Sequence, residues 1–454
     1  MKRQLFFDHA LLPTGWARAV HVTVEDGVIA AVAAGASGEG AERCSGIAVP
    51  GVPNLHCHAF QRGMAGLAER RGPEGDSFWT WREVMYRFLA RLTPDDVEAI
   101  AAFAYMEMLE AGYTTVTEFH YLHHDIDGRP YADLGELAVR VAAAAGETGI
   151  GLTLLPSLYI SGGIGGASPT PGQKRFLNDP DRFLKLVSRS REIVSALPAA
   201  RIGIAPHSLR AVPTEALLDV AASFKDGPIH IHAAEQTKEV EDSVAILGAR
   251  PVQWLLDHAG VDRRWCLIHC THMTPAETER LAQSGAVAGL CPLTEASLGD
   301  GIFDGTRHLA AGGQFGIGTD SNIQIDPAAE LRQLEYAQRL RHHARNLLTR
   351  DEGESVGRCM FETAVAAGTQ ACARPVGAIA PGCRADLVLL DADQADLAAG
   401  SGDHWLDAWI FVAGRAAVRD VLIGGVAVVS DRRHRAHDAI TRRYIASLQR
   451  LLNG

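Results

Sequence analysis

Histidine and acidic residues stand at the ends of several short apolar runs in this sequence. His56 and His58 close one run, and residues two apart on a strand face the same side of a sheet, so both imidazoles can reach one ion. Later runs end in similar residues: His230 and His232 with Glu235 just beyond, His269, and Asp320. A set of three imidazoles and one carboxylate, drawn from these residues, would suit zinc or another borderline divalent ion and leave a position open for water.

Such residues need a scaffold that brings the ends of distant runs together. Short apolar runs alternate with segments of helical periodicity, such as 94–112 and 180–197. This alternation predicts an α/β fold, a (β/α)8 barrel of the TIM type, in which the carboxyl ends of all strands meet at one face. The eight runs are 47–58, 114–120, 151–159, 201–208, 228–235, 265–272, 286–292 and 315–321.

Both ends of the chain consist of short β-branched segments separated by glycine and acidic residues. Glu25-Asp26-Gly27 predicts a hairpin turn between two strands. Residues 376–432 again show short β-branched segments separated by glycine and acidic residues. Neither end is large enough to bury a core alone, so we expect the two to join as one small β-sandwich. The predicted domains are therefore 1–48 together with 376–454, and a barrel over 49–375.

Composition narrows the class of protein. With 47% hydrophobic and 21% charged residues among 454, the chain can bury a sizeable core. We expect no membrane span, because no apolar run reaches about 18 residues, and a cytoplasmic location, because the N-terminus is a poor signal peptide. A net charge of −11 disfavours nucleic acid as a partner. The eight cysteines lack a disulfide pattern and are expected to be reduced and mostly buried.

These motifs resemble the amidohydrolase superfamily, in the branch of the adenosine and cytosine deaminases that binds one metal ion. The segments PGVPNLHCHAFQRG, HIHAAEQ, HCTH and GTDSN carry the resemblance, which extends over essentially the whole chain. It implies one zinc ion per chain, with iron or manganese as alternatives, and a homodimer. Binuclear members use a lysine after the fourth strand, whereas this sequence has Ala205-Pro206-His207-Ser208 there.

The resemblance also implies a role for each polar residue at the strand ends. Glu235, His269 and Asp320 correspond to the acid/base and water-orienting groups, and His230 is expected to be a buried histidine that binds no metal. The implied metal ligands are His56, His58, His232 and Asp320. Zinc would make hydroxide available near neutral pH, Asp320 would accept a proton, His269 would stabilise developing charge, and Glu235 would protonate the departing nitrogen.

Further segments resemble the formimidoylglutamate deiminases of histidine degradation: HCHAFQRGMAGL, SFWTWREVMYRF, TEFHYLHHD and APHSLRAV. This resemblance implies hydrolysis of N-formimidoyl-L-glutamate to N-formyl-L-glutamate and ammonia. A small dicarboxylate amidine calls for guanidinium and hydroxyl donors. The implied substrate-binding residues are Gln61, Arg82, Tyr121, His207 and Arg210.

Alternatives stay open at this point. Another aminohydrolase of the same superfamily, acting on guanine, cytosine or S-adenosylhomocysteine, would be favoured by an aromatic pocket without paired arginines. An inactive binding protein is disfavoured, because every implied ligand and Glu235 are present. The aromatic stretch around Phe78, Trp79 and Trp81 is expected to cover the site or to form an oligomer contact. The histidines at 120, 123 and 124 are expected to lie in a solvated loop.

Overall fold

The computed structural model describes residues 2–73 and 75–453. Its strands, in chain order, are β1 (Lys2–Leu12), β2 (Gly15–Glu25), β3 (Val28–Ala33), β4 (Glu42–Pro50), β5 (Val52–Cys57), β6 (Tyr113–His120), β7 (Gly151–Leu158), β8 (Arg201–Ile202), β9 (Ala205–Pro206), β10 (Ile229–Ala233), β11 (Trp265–His269), β12 (Val287–Leu290), β13 (Gln314–Ile317), β14 (Leu387–Leu390), β15 (Val418–Ile423), β16 (Val426–Ser430) and β17 (Arg433–His434).

Most of the helices lie between the strands of the central region. They are α1 (Phe78–Leu89), α2 (Pro94–Ala111), α3 (Glu136–Thr148), α4 (Pro180–Val194), α5 (Thr214–Ser223), α6 (Thr237–Leu247), α7 (Pro251–His258), α8 (Pro275–Gln283), α9 (Pro292–Leu298), α10 (Gly305–Ala310), α11 (Pro327–His342), α12 (Val356–Cys372), α13 (Ala395–Ala398), α14 (His404–Ala408) and α15 (His437–Asn453). No helix among the described residues is long and apolar enough to cross a membrane.

The two chain ends form one eight-stranded sheet in the order β17-β16-β15-β14-β4-β1-β2-β3. All its pairings are antiparallel except that of β1 with β4. The predicted hairpin joins β2 to β3, where Asp26 and Gly27 both have positive φ, as a two-residue hairpin turn requires. A separate apolar core contains residues from both ends, among them Phe7, Val22 and Leu389. The two chain ends thus share one sheet and one apolar core.

The central region contains parallel strands that alternate with helices, as predicted. One parallel sheet has the order β5-β6-β7-β8, with β9 also paired to β7, and a second has the order β10-β11-β12-β13. Single parallel bridges link the two sheets at both edges, through Ile204 and Ile229, Ser208 and His232, and Cys57 and Asp320. The carboxyl ends of these strands therefore lie at a common edge.

Two of the eight predicted runs are divided in the structure. The first passes from β4 into β5 at Gly51, where a Cβ would lie 2.2 Å from the Thr114 hydroxyl, so only glycine fits. The fourth is split into β8 and β9 around Gly203, where a Cβ would lie 2.5 Å from the Pro228 carbonyl oxygen. Close backbone approach, which hydropathy does not encode, interrupts both runs.

Helix boundaries follow the capping signals of the sequence. The helix α2 begins after Thr93, whose side chain accepts from the Asp96 amide, and ends at Gly112 with a φ of 104°. Asp179 caps α4 in the same way by accepting from the Arg182 amide. The thiols match expectation as well, since all eight are free and all but the half-buried Cys383 are buried.

Candidate active site

Four of the predicted side chains converge at the carboxyl ends of the parallel strands. The candidate ligand atoms of His56, His58, His232 and Asp320 all lie within 4.8 Å of one another. Asp320 Oδ1 is 3.3 Å from the Nε2 atoms of both His56 and His58, and the Nε2 atoms of His56 and His232 are 3.2 Å apart. All four residues are buried. The structure thus gathers into one cluster residues that are 264 positions apart in the chain.

Backbone carbonyls orient two of these imidazoles. His58 Nδ1 donates to the Phe119 carbonyl, and His232 Nδ1 donates to the His207 carbonyl, both at 2.9 Å. Because the proton resides on Nδ1, each ring turns an Nε2 lone pair toward the cluster. Burial also lowers the pKa of His56 to about 3, which keeps its ring neutral. Converging lone pairs beside a carboxylate fit a divalent cation such as zinc.

Asp320 occupies a strained position after β13. Its φ of 41° is uncommon for a residue with a side chain. Burial disfavours its ionised form, yet the neighbouring imidazoles of His56, His58 and His269 hold the pKa of Asp320 below its ordinary value. The carboxylate is therefore charged, as a metal ligand or a proton acceptor must be.

His230 lies on the same strand as His232 but does not join the cluster. Its Nε2 is 2.9 Å from the Ala371 carbonyl, and the ring is fully buried. His230 is thus buried, as predicted, and lies outside the cluster; that it binds no metal stays a prediction.

Glu235 and His269 lie next to the metal cluster. Glu235 Oε1 is 3.8 Å from His269 Nε2, and the other imidazole nitrogen, Nδ1, is 3.3 Å from Glu295 Oε1. Burial opposes the charge on His269, but the carboxylates of Glu235, Glu295 and Asp320 raise its pKa to about 10. The imidazole is thus held as a cation, which can stabilise negative charge that develops on a bound molecule.

Arg210 connects the acid/base pair to the rest of the pocket. Its Nη2 is 2.5 Å from Glu235 Oε2, and its Nε is 3.8 Å from Glu239 Oε2. Glu239 also accepts hydrogen bonds from the amides of Ala234 and Glu235, at 3.2 and 3.0 Å. The first turn of α6 therefore fixes the backbone from which Glu235 projects.

The five predicted substrate-binding residues all line one pocket with the cluster. Gln61 Nε2 donates to the Tyr121 hydroxyl at 2.8 Å, while Gln61 Oε1 and Arg82 Nε have no hydrogen-bond partner among the described residues. The Arg82 guanidinium lies over the rings of Trp79 and Tyr86, at 4.6 and 5.6 Å. The predicted residues of this pocket wall are Gln61, Arg82, Tyr121, His207 and Arg210.

The aromatic stretch forms a helix rather than a loop. Ser77 caps α1, and Phe78, Trp81 and Tyr86 line the pocket beside Arg82. The spacing of these residues follows successive helical turns, because residues three and four apart share one face. This stretch therefore forms a wall of the site.

The prediction of a solvated loop for three histidines is wrong. His120, His123 and His124 are at most 4% exposed. His123 Nε2 bonds to the Ser157 carbonyl and His124 Nε2 to the Leu177 carbonyl, at 2.9 and 2.7 Å. One carbonyl in β7 and one in the loop after it thus each bond to one nitrogen of these two rings, so polar residues that suggested solvent find partners inside the protein.

Sequence reasoning missed several residues of this site. Glu295 and Glu239 both contact acid/base residues, and Tyr159 and Phe176 complete the aromatic wall. Glu295 follows the seventh apolar run, so the argument that singled out polar residues at strand ends could have found it. Glu239 stands four residues after Glu235, a helical spacing that offered a weaker signal.

Comparison with known proteins identifies the family. A model of the Amidohydrolase family matches residues 47–428, and the model described as Formimidoylglutamate deiminase HutF, N-terminal domain, matches residues 3–46. A formimidoylglutamate deiminase from Pseudomonas aeruginosa is 51% identical over 451 residues, 99% of each chain. A 5-methylthioadenosine/S-adenosylhomocysteine deaminase from Natronomonas pharaonis is 29% identical over 91% of this chain and 89% of its own.

A solved structure agrees with this assignment. The crystal structure of an amidohydrolase from Brucella melitensis superposes with a TM-score of 0.95 at 51% identity, and it covers 99% of this chain and 100% of its own. The match spans both the parallel strands that bear the metal cluster and the sheet formed by the chain ends. The chain therefore belongs to the amidohydrolase family.

Proposed function

We propose that the protein is a zinc-dependent deiminase that hydrolyses N-formimidoyl-L-glutamate to N-formyl-L-glutamate and ammonia. The observation that carries this proposal is one pocket that combines a metal cluster with two arginines, Arg82 and Arg210. The relative from Pseudomonas aeruginosa, which bears the name of that activity at 51% identity, supports it, as does the N-terminal family model.

The chemistry divides among three side chains. Bound zinc would lower the pKa of water toward neutrality and so supply a nucleophile. Asp320 accepts a proton of the attacking water, and the His269 cation stabilises the charge that develops on the substituents of the attacked amidine carbon. Glu235, 3.8 Å from His269, relays the protons given up by the water to the departing nitrogen, which leaves as ammonia while the oxygen of the water becomes the formyl carbonyl.

Recognition of the glutamate portion falls to the outer pocket. Arg82 and Arg210 each offer a planar guanidinium that can hold a carboxylate by two parallel hydrogen bonds. Gln61, Tyr121 and His207 line the same pocket as these arginines and the cluster. We assign them to hydrogen bonds that orient the substrate chain.

The structure also bears on the alternative, deamination of a heterocycle. The pocket is lined by several aromatic rings, including Phe78, Trp81 and Tyr159, which suit a flat base. The S-adenosylhomocysteine deaminase relative, at 29% identity, points the same way. Two guanidinium groups in the same pocket favour the dicarboxylate, because Arg82 Nε and Arg210 Nη1 have no hydrogen-bond partner among the described residues and a neutral base offers neither of them a counter-charge.

We further infer the closed architecture that this chemistry needs. The bridges at both edges of the parallel sheets support closure into a (β/α)8 barrel over 49–375. The separate core of the terminal strands supports a β-sandwich built from 1–48 and 376–454. The barrel would hold one metal ion, since the fourth run ends in His207 and Ser208 instead of a lysine.

Ammonia release from N-formimidoyl-L-glutamate, measured beside guanine, cytosine and S-adenosylhomocysteine, tests the proposal. Zinc content is determined on the same samples. We expect E235Q to keep its zinc and lose turnover about 1,000-fold, and H56A to lose the metal itself. Turnover of a heterocycle alone would contradict the substrate assignment, and an H56A variant that retains one full equivalent of zinc would contradict the ligand assignment.

A further inference from the structure

Arg210 is the residue through which the outer pocket contacts the acid/base machinery. Each edge of its guanidinium has a different environment. Nε faces Glu239 at 3.8 Å, Nη2 is bonded to Glu235 at 2.5 Å, and the buried Nη1 has no hydrogen-bond partner among the described residues. The group also lies 5.4 Å from the Phe78 ring centroid, within the wall formed by α1.

A carboxylate that binds Arg210 in the bidentate mode uses two neighbouring N–H groups. The edge facing Glu239 is occupied, so the available pair is Nη1 and Nη2. Nη2, however, is the atom that holds Glu235 Oε2. Nη2 carries two N–H groups, so an incoming carboxylate would share this nitrogen with Glu235, and the repulsion between the two carboxylates would weaken the bond to Glu235.

Glu239 keeps Arg210 in place during such an exchange. Its carboxylate is 1% exposed and is fixed by the amides of Ala234 and Glu235. The Glu239 carboxylate therefore stays in place when Glu235 dissociates from the Arg210 guanidinium. A buried cation with a permanent counter-charge can exchange its second partner without being left unpaired.

We propose that Arg210 restrains Glu235 in the free enzyme and that a substrate carboxylate, by binding Nη1 and Nη2 beside Glu235, weakens this restraint and releases Glu235 for proton transfer. This inference rests on the proposed function, because it assumes a substrate with a carboxylate. Glu239 is the positioning residue of the exchange. The carboxylate thus serves as a requirement for turnover as well as for binding, and an amidine without it is bound beside a restrained Glu235.

Arg82 provides the internal comparison. Its guanidinium lies over the rings of Trp79 and Tyr86, and no carboxylate among the described residues is within ion-pair distance. A carboxylate that binds Arg82 displaces no catalytic group. Loss of Arg82 is therefore expected to weaken binding without changing the coupling between carboxylate and Glu235.

Glutarate binding to the zinc-loaded enzyme, measured by calorimetry at one pH near neutrality, tests the exchange without turnover. E235Q removes the competitor, so we expect glutarate to bind about tenfold more tightly than to the wild type. The R210Q variant and the R210Q/E235Q double variant should both bind glutarate weakly. In the R82Q background, by contrast, adding E235Q should still tighten glutarate binding. Glutarate that binds E235Q no more tightly than the wild type overturns the proposal.

A kinetic experiment tests the consequence for turnover. An N-alkylformamidine that lacks carboxylates should have a kcat about 100-fold below that of N-formimidoyl-L-glutamate, and added propionate should raise it about tenfold. In R210Q this activation should disappear, while R82Q keeps it, and E239Q should show weaker activation. Propionate that only inhibits the wild type contradicts the release of Glu235. Absence of ammonia from N-formimidoyl-L-glutamate contradicts the proposed function instead, and the calorimetric result then still decides the exchange.

Discussion

At the scale of single residues, the metal cluster depends on side chains that never touch the metal position. Asn322 has a positive φ of 57° and donates from Nδ2 to the carbonyls of His58 and Asp320, both at 3.0 Å. Its Oδ1 accepts from the Thr319 hydroxyl at 2.6 Å. One amide thus ties the end of β5 to the segment after β13, and orients ligands from opposite ends of the chain.

Glu118 is a second buried side chain that holds the backbone beside the candidate ligands. Its Oε1 accepts from the Ala59 amide at 2.9 Å, and its Oε2 accepts from the Tyr105 hydroxyl at 3.0 Å. Burial raises the pKa of Glu118 to about 7, despite these hydrogen bonds. The carboxyl group is therefore largely protonated in mildly acidic solution. It lies next to Ala59, the residue that follows the candidate ligand His58.

This shift predicts a pH dependence of stability. Between its ordinary pKa of 4.5 and about 7, Glu118 binds a proton in the folded state that the unfolded state releases. Stability from this residue is thus complete below 4.5 and is lost as pH rises through 7, by about 3 kcal/mol at most. Urea denaturation of E118Q should show a flatter decline from pH 5 to 7.5 than the wild type. Y105F, which keeps the carboxyl, should follow the wild type, and parallel curves for E118Q would contradict the assignment.

At the scale of elements, the pocket wall is held by one buried arginine. Arg175, in the loop between β7 and α4, is 2% exposed and donates to the carbonyls of Leu89, Leu92 and His124 at 2.5 to 3.0 Å. Leu89 is the last residue of α1, where the helix dipole favours a cation. The loop that supplies Phe176 is thereby joined to the helix that supplies Arg82.

Removing this guanidinium should loosen the wall. R175M would remove a donor from three buried carbonyls and leave those of Leu92 and His124 without one, and we expect unfolding to become easier by about 3 kcal/mol. Because α1 carries Arg82, we also expect KM for N-formimidoyl-L-glutamate to rise by about tenfold with a smaller change in kcat. R182M, which removes an exposed arginine paired with Asp179, is the matched control and should change neither. An unchanged KM in R175M would show that Arg175 does not help to position the residues of the pocket.

At the scale of the whole molecule, α2 connects the parallel strands to the C-terminal segment. Glu110, near the end of α2, is 4% exposed and accepts bonds from Arg415 Nη2, the His434 amide and His437 Nδ1, at 2.6, 3.0 and 2.7 Å. These partners lie just before β15, in β17 and at the start of α15. One buried carboxylate thus holds three points of the C-terminal segment against α2.

Loss of this anchor should weaken the attachment of the C-terminal segment. We expect E110Q to reduce stability by about 3 kcal/mol, because Arg415 loses its buried partner. Thermal unfolding gives the change in stability, and limited proteolysis should show faster cleavage within 415–437. E98Q, at a partly exposed pair with Arg140, should cost under about 0.5 kcal/mol. Equal proteolysis of E110Q and the wild type would show that other contacts hold the segment.

Local patterns were sufficient for a large part of this molecule. The alternation of strands and helices and the hairpin at Asp26-Gly27 were predictable, because each depends on residues within a few positions of one another. Residues that end the apolar runs also identified the metal cluster, since parallel strands place their carboxyl ends together whatever the sequence between them.

Contacts between distant segments were decided only by the tertiary structure. The exchange site at Arg210 depends on Glu235, 25 positions away, and on Glu239 in the next helix. The burial of His123 likewise depends on the carbonyl of Ser157 in another strand. Periodicity predicts which face of an element is apolar, but polar side chains are satisfied by whichever donors and acceptors packing brings near. The sequence alone therefore determined where the chemistry lies, and the fold decided how its charges are paired.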